Sequence, residues 1–336
     1  MAAALRTLPT KGRRNGLKVL TLGIGLAVGL VLTSKVCFEQ TYDDFFSDAG
    51  RIFRVSEAAE MNGEYKVYSQ TSGGIAPRMK EYFPQIEQAT RMTWFEDDAV
   101  LIMKGSGMRV DAGLTGLADS AFFHVLDRKC LAGDIDESLA VKGNVAVSLS
   151  VARKISLALH GKAAKGGDVS SLAQTVVGER FSIAGRGDGY EVTVSGVFED
   201  YPLNSTLRPQ VLISLPTTGM FIYDGTDGVV GNDRYQTFLK LREASDAEDL
   251  NGNFDGFINT YLPVEEMTAA GVKQDYILKP LISLHNEDEN QRNMTLLLSS
   301  SRSEALWRRF SERTYILCFP AGRWFFQSLW SSPCWS

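Results

Sequence analysis

Residues 19–38, VLTLGIGLAVGLVLTSKVCF, form a run of twenty residues with a single charge, Lys35. No other stretch restricts the fold as much. At about 1.5 Å per residue a helix of this length spans roughly 30 Å, the thickness of bilayer hydrocarbon. Lys35 lies near one end, where its aliphatic stem lets the ammonium reach the headgroups. Residues 1–18 carry Arg6, Lys11, Arg13, Arg14 and Lys18 and no acid, whereas Glu39, Asp43, Asp44 and Asp48 follow the run. Positive flanks stay in the cytoplasm, so the rest of the chain is expected outside it. The rival reading is a cleaved signal peptide, with an apolar core of about 7–15 residues and a small-x-small site. The exit Ser34-Lys35-Val36-Cys37 offers no A-x-A, which favours a retained anchor. Gly25-x-x-x-Gly29 either packs against another membrane helix or reflects the ordinary glycine content of such helices.

The body is acidic. Residues 39–300 hold 38 acids against 24 basic residues, a net of −14, which argues against binding nucleic acid through its phosphates. With 44% hydrophobic and 22% charged residues overall, the chain has the composition of a folded protein. Cys37, Cys130, Cys318 and Cys334 show no disulfide framework and no C-x-x-C metal pair.

Hydrophobic spacing predicts the following order. Residues 42–57 read as a helix running into a strand, and 65–70 as a strand. Ile75–Phe83 reads as a helix with Pro77 in its first turn. Strands are expected at 92–95 and 100–103, and a helix over 118–126 with Phe122, Phe123 and Val125 inward. Val145–Leu149 reads as a strand and 151–158 as a helix. Residues 160–175, HGKAAKGGDVSSLAQT, read as a loop. Strands follow at 176–184, 190–198, 211–215 and 235–241, with a turn at Pro202-Leu203-Asn204-Ser205. Leu250, Phe254, Phe257 and Ile258 have helical spacing within 246–261, and 276–284 closes as a strand. Mixed helices and strands in this order predict an α+β body.

Chemistry-bearing motifs are sparse. No G-x-x-x-x-G-K-[ST] loop or G-x-S-x-G elbow occurs. Asp249-Leu-Asn251-Gly-Asn253-Phe-Asp255-Gly256 faintly resembles a calcium loop. It lacks glycine at the sixth position and has Thr260 where a bidentate Glu belongs, so an amphipathic helix fits better. Asp224-Gly-Thr-Asp227-Gly and Arg186-Gly-Asp188 read as turns. His124, His160 and His285 follow no metal spacing, and His124 reads as a packed or partly exposed helix residue. Glu199 and Asp200 are adjacent carboxylates of the type used in acid–base chemistry, but a solvated loop before Pro202 accounts for them. The expectation is therefore no catalytic residue, no cofactor and no metal.

Several segments, taken in order, resemble the MacB-like periplasmic core domain of FtsX-type ABC-transporter permeases, in the style of Bacteroidetes. They are YDDFFSDAGRIFRV (42–55), YFPQIEQATRM (82–92), ADSAFFHVLDRKCLAGDIDESL (118–139), VAVSLSVARKI (145–155), YEVTVSGVFEDYPLNSTL (190–207) and YILKPLISLH (276–285). The resemblance covers roughly residues 15–298. It implies a single N-terminal transmembrane helix followed by a two-lobed periplasmic domain. A porter-like lobe is built from the two ends of the domain, and a second lobe is inserted between them. It further implies an inner-membrane permease of four helices, working as a homodimer or paired permease with a cytoplasmic ABC ATPase. Periplasmic or outer-membrane partners and membrane lipid are also implied, and the work would be efflux, lipoprotein release or control of a cell-wall hydrolase. The family offers no catalytic residue to carry over.

The expected organisation is a cytoplasmic basic stretch 1–18, the membrane helix 19–38, the core domain 39–295 and a tail 296–336. The tail departs from the family. Where a second membrane helix is expected, residues 301–336 hold five Arg, no Lys, four of the five Trp and no long apolar run. A shifted reading frame explains this composition, and a genuine amphipathic aromatic tail is the alternative. Were the tail genuine, the chain would read instead as a single-pass membrane-anchored periplasmic binding or sensor module. A membrane-anchored enzyme is the third class, and no residue constellation supports it.

Overall fold

The computed structural model describes residues 13–61, 63–95, 99–103, 107–160, 169–184, 190–217 and 227–286. The predicted tail 296–336, Arg186, Asp188, Asp224, Cys318 and Cys334 lie outside these residues. Helix α1 (Arg13–Gln40) extends the predicted span at both ends. None of its Gly16–Gln40 stretch is buried against protein. The helix is long and apolar enough to cross a membrane.

The predicted helix after the anchor is not there. Residues 41–48 form turns, followed by a short 3₁₀ turn, Ala49–Arg51, that leads into strand β1 (Ile52–Met61). The cause is Asp43, whose φ of 57° is incompatible with a right-handed helix. Its buried carboxylate is held by a distant turn, which outweighs the local helical spacing.

Beyond β1 the order is β2 (Glu64–Tyr68), α2 (Ile75–Tyr82), β3 (Ile86–Trp94), β4 (Ala99–Met103), β5 (Arg109–Gly113), β6 (Thr115–Ala118), α3 (Phe122–Val125), β7 (Cys130–Gly133), α4 (Ile135–Ala140), β8 (Asn144–Ser148), α5 (Leu149–His160), α6 (Val169–Gln174), β9 (Arg180–Ala184), β10 (Tyr190–Phe198), β11 (Val211–Ser214), β12 (Gln236–Leu241), α7 (Asp246–Leu250), α8 (Asp255–Tyr261), α9 (Val264–Ala269) and β13 (Val272–Pro280). The expected loop 160–175 thus contains a helix, α6. The helix expected over 118–126 shrinks to one turn, because Ala118 ends a strand. The helix expected over 246–261 is broken at Asn251 and Gly252, the latter at φ 90°.

Among the described residues one hydrogen-bonded path joins the strands in the order β13-β1-β12-β3-β6-β11-β8-β10-β9-β4-β5, with β2 on β1 and β7 on β10. The pairs β6–β11 and β8–β10 are parallel and the others antiparallel. Three hydrophobic clusters lie on this path. The first packs Phe53, Val55, Met79, Leu239, Phe254 and Tyr276, joining β1, β12 and β13 to α2 and α8. Its residues come from the two ends of the body, matching the porter-like lobe. The second packs Leu101, Val147, Ile155, Phe181, Val194 and Ile213 from the middle of the chain, matching the inserted lobe. A third cluster, with Phe46, Met92, Phe122, Phe198, Phe238 and Leu284, draws on both ends and the middle. Burying each large apolar side chain contributes about 1.5–3 kcal/mol.

Strand β13 is a sheet edge, and its outer groups are capped from within the chain. Asn251 Nδ2 donates to Leu278 O (3.3 Å) and Asn251 Oδ1 accepts from Leu278 N (2.8 Å), as a neighbouring strand would. Asp275 Oδ1 accepts from Tyr276 N (2.7 Å). The break between α7 and α8 is what delivers Asn251 to this edge.

Candidate functional site

Three segments distant in sequence meet where α1 enters the body: 38–43, the turn 202–207, and the 3₁₀ segment Leu281–Asn286. Tyr42 lies flat on His285, with ring centroids 3.3 Å apart and planes 5° from parallel. Phe38, in the last turn of α1, meets Tyr42 edge-on at 5.6 Å. The Glu39 carboxylate bonds His285 Nε2. Burial, followed by the Glu39 charge, pushes the Tyr42 phenol up.

Asp43 is almost wholly buried. Its Oδ1 accepts from Thr206 N (2.9 Å) and lies 3.0 Å from Ser205 Oγ, and its own N–H donates to Asn204 O (3.0 Å). Asn204 Nδ2 donates back to Thr41 O at 2.7 Å. Burial raises the Asp43 carboxyl above the usual carboxylate range, while the Thr206 and Ser205 hydrogen bonds pull it down. Oδ2 has no hydrogen-bond partner among the described residues.

The next turn is fixed on two sides. Ser47 N and Oγ donate to Asp127 (3.2 and 2.6 Å). The Arg128 guanidinium lies over Phe45 and Tyr201 at 5.3 and 5.1 Å and donates to Asp200 O (2.6 Å) and Glu199 Oε2 (3.0 Å). On the other side Asp48 pairs with Arg51 (2.6 Å) and Lys240 (2.5 Å), and Arg51 reaches Glu87 at 2.8 Å. The Lys240 and Arg51 cations hold the Asp48 carboxyl below its ordinary range. Residues 39–51 are thereby tied to 127–128 and 199–206 from the middle of the chain, and to 87, 240 and 285 nearer its two ends.

The carboxylates weighed as acid–base candidates are occupied otherwise. Glu199 bonds Arg128, and Asp200 receives Ser150 N (3.0 Å) and Oγ (2.7 Å) at the start of α5. Asp227 accepts from Arg91 at 3.2 Å. Asn253 Nδ2 donates to Asp249 O and Asn251 serves β13, so these residues do not surround a common centre. Among the described residues no group of three His, Cys, Asp or Glu is placed to hold a metal ion. His124 is exposed, His160 ends α5, and Cys37 and Cys130 are exposed free thiols. Of His124 and His285, the latter is drawn into the junction. Nothing in its spacing signals this, because its partners Tyr42 and Glu39 lie at the opposite end of the body.

Two further features lie away from the junction. Glu57 on β1 is buried beside Tyr276. Desolvation and then the Asp233 charge push its carboxyl up to about 8, and Oε2 has no hydrogen-bond partner among the described residues. At the far end of β1 a cavity of about 560 Å³ is lined by Glu60, Asp255, Val264, Met267, Lys273 and Gln274, among others.

The family model described as the MacB-like periplasmic core domain matches residues 16–255. The chain is similar to a solved domain of a protein described as a permease, from Porphyromonas gingivalis. Identity is 28% and the TM-score 0.57, over 70% of this chain and 91% of that one. The periplasmic region of MacB from Actinobacillus actinomycetemcomitans aligns at 13% identity with a TM-score of 0.40, over 71% of this chain and 93% of that one. No curated protein matches. Domains of this kind belong to ABC-transporter permeases, which work with ATPase subunits, and the chain belongs to the MacB-like periplasmic core domain family.

Proposed function

We propose that this chain is a permease subunit whose periplasmic domain, residues 39–295, carries ATP-driven movement of the membrane helices to partners outside the membrane. The work done would be efflux, lipoprotein release or control of a cell-wall hydrolase. The observation that carries this reading is the junction itself. The segment leaving α1 is clasped to residues 281–286 by the Tyr42–His285 stack and the Glu39–His285 bond, so displacement of α1 moves β1 and β13 together. These two strands pair over Phe53–Met61 and Val272–Pro280 and lead to the far cavity. The chain contains no P-loop motif, so ATP hydrolysis falls to a cytoplasmic partner. Pairing with a second permease belongs to the same reading.

The test is purification of the full chain from its native membrane. A P-loop ATPase should co-purify in fixed proportion, and its ATP hydrolysis should change on substituting His285→Ala. A chain that purifies without an ATPase subunit would sink the proposal. The 560 Å³ cavity supports the second reading, a membrane-anchored binding or sensor module. That reading predicts saturable binding of a small ligand with no ATPase in the preparation.

A further inference from the structure

The turn Pro202-Leu203-Asn204 has a second property. Leu203 is 73% exposed, whereas Tyr201, Ser205 and Leu207 around it are buried. A single exposed leucine needs no explanation in itself. Its position does. Asn204, the next residue, bonds Thr41 O at 2.7 Å, and Thr41 lies three residues past Phe38, the end of the apolar run. Three residues of helix advance about 4.5 Å, and the headgroup layer outside each face of the hydrocarbon is about 5–8 Å deep. With 19–38 across the bilayer, this spacing puts Asn204 at headgroup depth, with Leu203 beside it. Ile282, 46% exposed, adds an apolar side chain from the segment that also presents His285 to Tyr42. Arg208 is exposed and close enough for its charge to act on the Tyr42 phenol.

We propose that this turn seats the body on the bilayer, with Leu203 inserted at the boundary between headgroups and acyl chains and Arg208 directed to lipid phosphates. Apolar side chains flanked by a cation suit such a surface. Contact at this turn gives the body a second attachment to the bilayer beside α1, and the Asn204–Thr41 bond couples the two. The proposal rests on 19–38 crossing the bilayer.

The experiment uses the full chain with its four cysteines changed to serine and one cysteine returned at a time, labelled with an environment-sensitive dye. Positions are Leu203, Leu26 within α1, and Tyr65 on the exposed strand β2. Since Leu203 is largely exposed, cysteine there removes little packing. Each protein is reconstituted in phosphatidylcholine–phosphatidylglycerol vesicles carrying nitroxide lipids, either at headgroup level or mid-chain. Leu203 should be quenched several-fold more than Tyr65 by headgroup nitroxides, and Leu26 by mid-chain nitroxides. Arg208→Gln should weaken quenching at Leu203 in anionic vesicles and leave Leu26 unchanged. Quenching at Leu203 no greater than at Tyr65, with Leu26 quenched, overturns the seat and leaves the anchor standing. An unquenched Leu26 overturns both.

Discussion

Tyr42 and His285 face each other ring on ring, 3.3 Å between centroids, and so close the periplasmic body where it meets its membrane helix. An aromatic stack of this kind contributes about 0.5–1.5 kcal/mol beyond area burial. The Glu39–His285 bond adds to it. Tyr42→Ala and His285→Ala should each lower the unfolding free energy of the body by about 1–2 kcal/mol. The double variant should cost less than the sum of the two singles. Additive losses in urea titrations would show that the rings do not act as a unit.

Glu57 sets a pH dependence of defined sign. Its carboxyl is raised from 4.5 to about 8 in the folded protein, so between these values the folded state holds a proton that the unfolded state has lost. The stabilisation is fully present below about pH 4.5, declines as pH rises, and is gone above about pH 8. Glu57→Gln should therefore flatten the stability profile across this range and raise stability at pH 9. Equal pH slopes for the two proteins would remove Glu57 as the cause.

Asp43 combines a left-handed backbone with two hydrogen bonds to the 205–206 turn. Asp43→Gly loses the bonds but accepts the backbone. Asp43→Ala loses the bonds and also bears a backbone cost of about 1–2 kcal/mol. Alanine should thus be the more damaging change by about that amount, although it is the better helix former. Were alanine the milder of the two, the positive φ would not be what matters at this site.

Asn251 guards the open edge of β13. Asn251→Ala leaves Leu278 N–H and C=O unpaired at a sheet edge, at a cost of about 1–2 kcal/mol. An unblocked edge also invites strand pairing between molecules. Light scattering should show concentration-dependent association of the variant that the parent lacks, and a monodisperse variant would count against the capping role.

Much of the architecture was legible in the pattern of residues. The membrane helix followed from a lack of charge, and α2, α5 and β11 from ordinary spacing and propensity. Two of the failures share a cause. Residues 42–51 and 246–261 both carry helical spacing, and each is interrupted where one side chain is needed by a distant partner: Asp43 by Ser205 and Thr206, Asn251 by Leu278. Short strands such as Thr115–Ala118 and Cys130–Gly133 span too few residues to show a period. Strand β1 is buried over seven successive residues, Ile52 to Ala58, so Arg54, Ser56 and Glu57 obscure its inward pattern. The junction itself could not be read from the chain. Tyr42, Glu39 and His285 become neighbours only when β13 returns along β1.

The antiparallel pairing of β1 with β13 has a mechanical consequence. Both strands run between the junction and the far cavity, one leading away from α1 and the other back towards it. A pull by a partner at the distal tip reaches the junction through two polypeptide strands side by side, each under axial tension, with little force tending to slide one past the other. The interstrand hydrogen bonds then see almost none of the pull. The domain should transmit traction as a stiff doubled cord, and it should yield first in the turns around Asp43 and Asn204 rather than within the sheet.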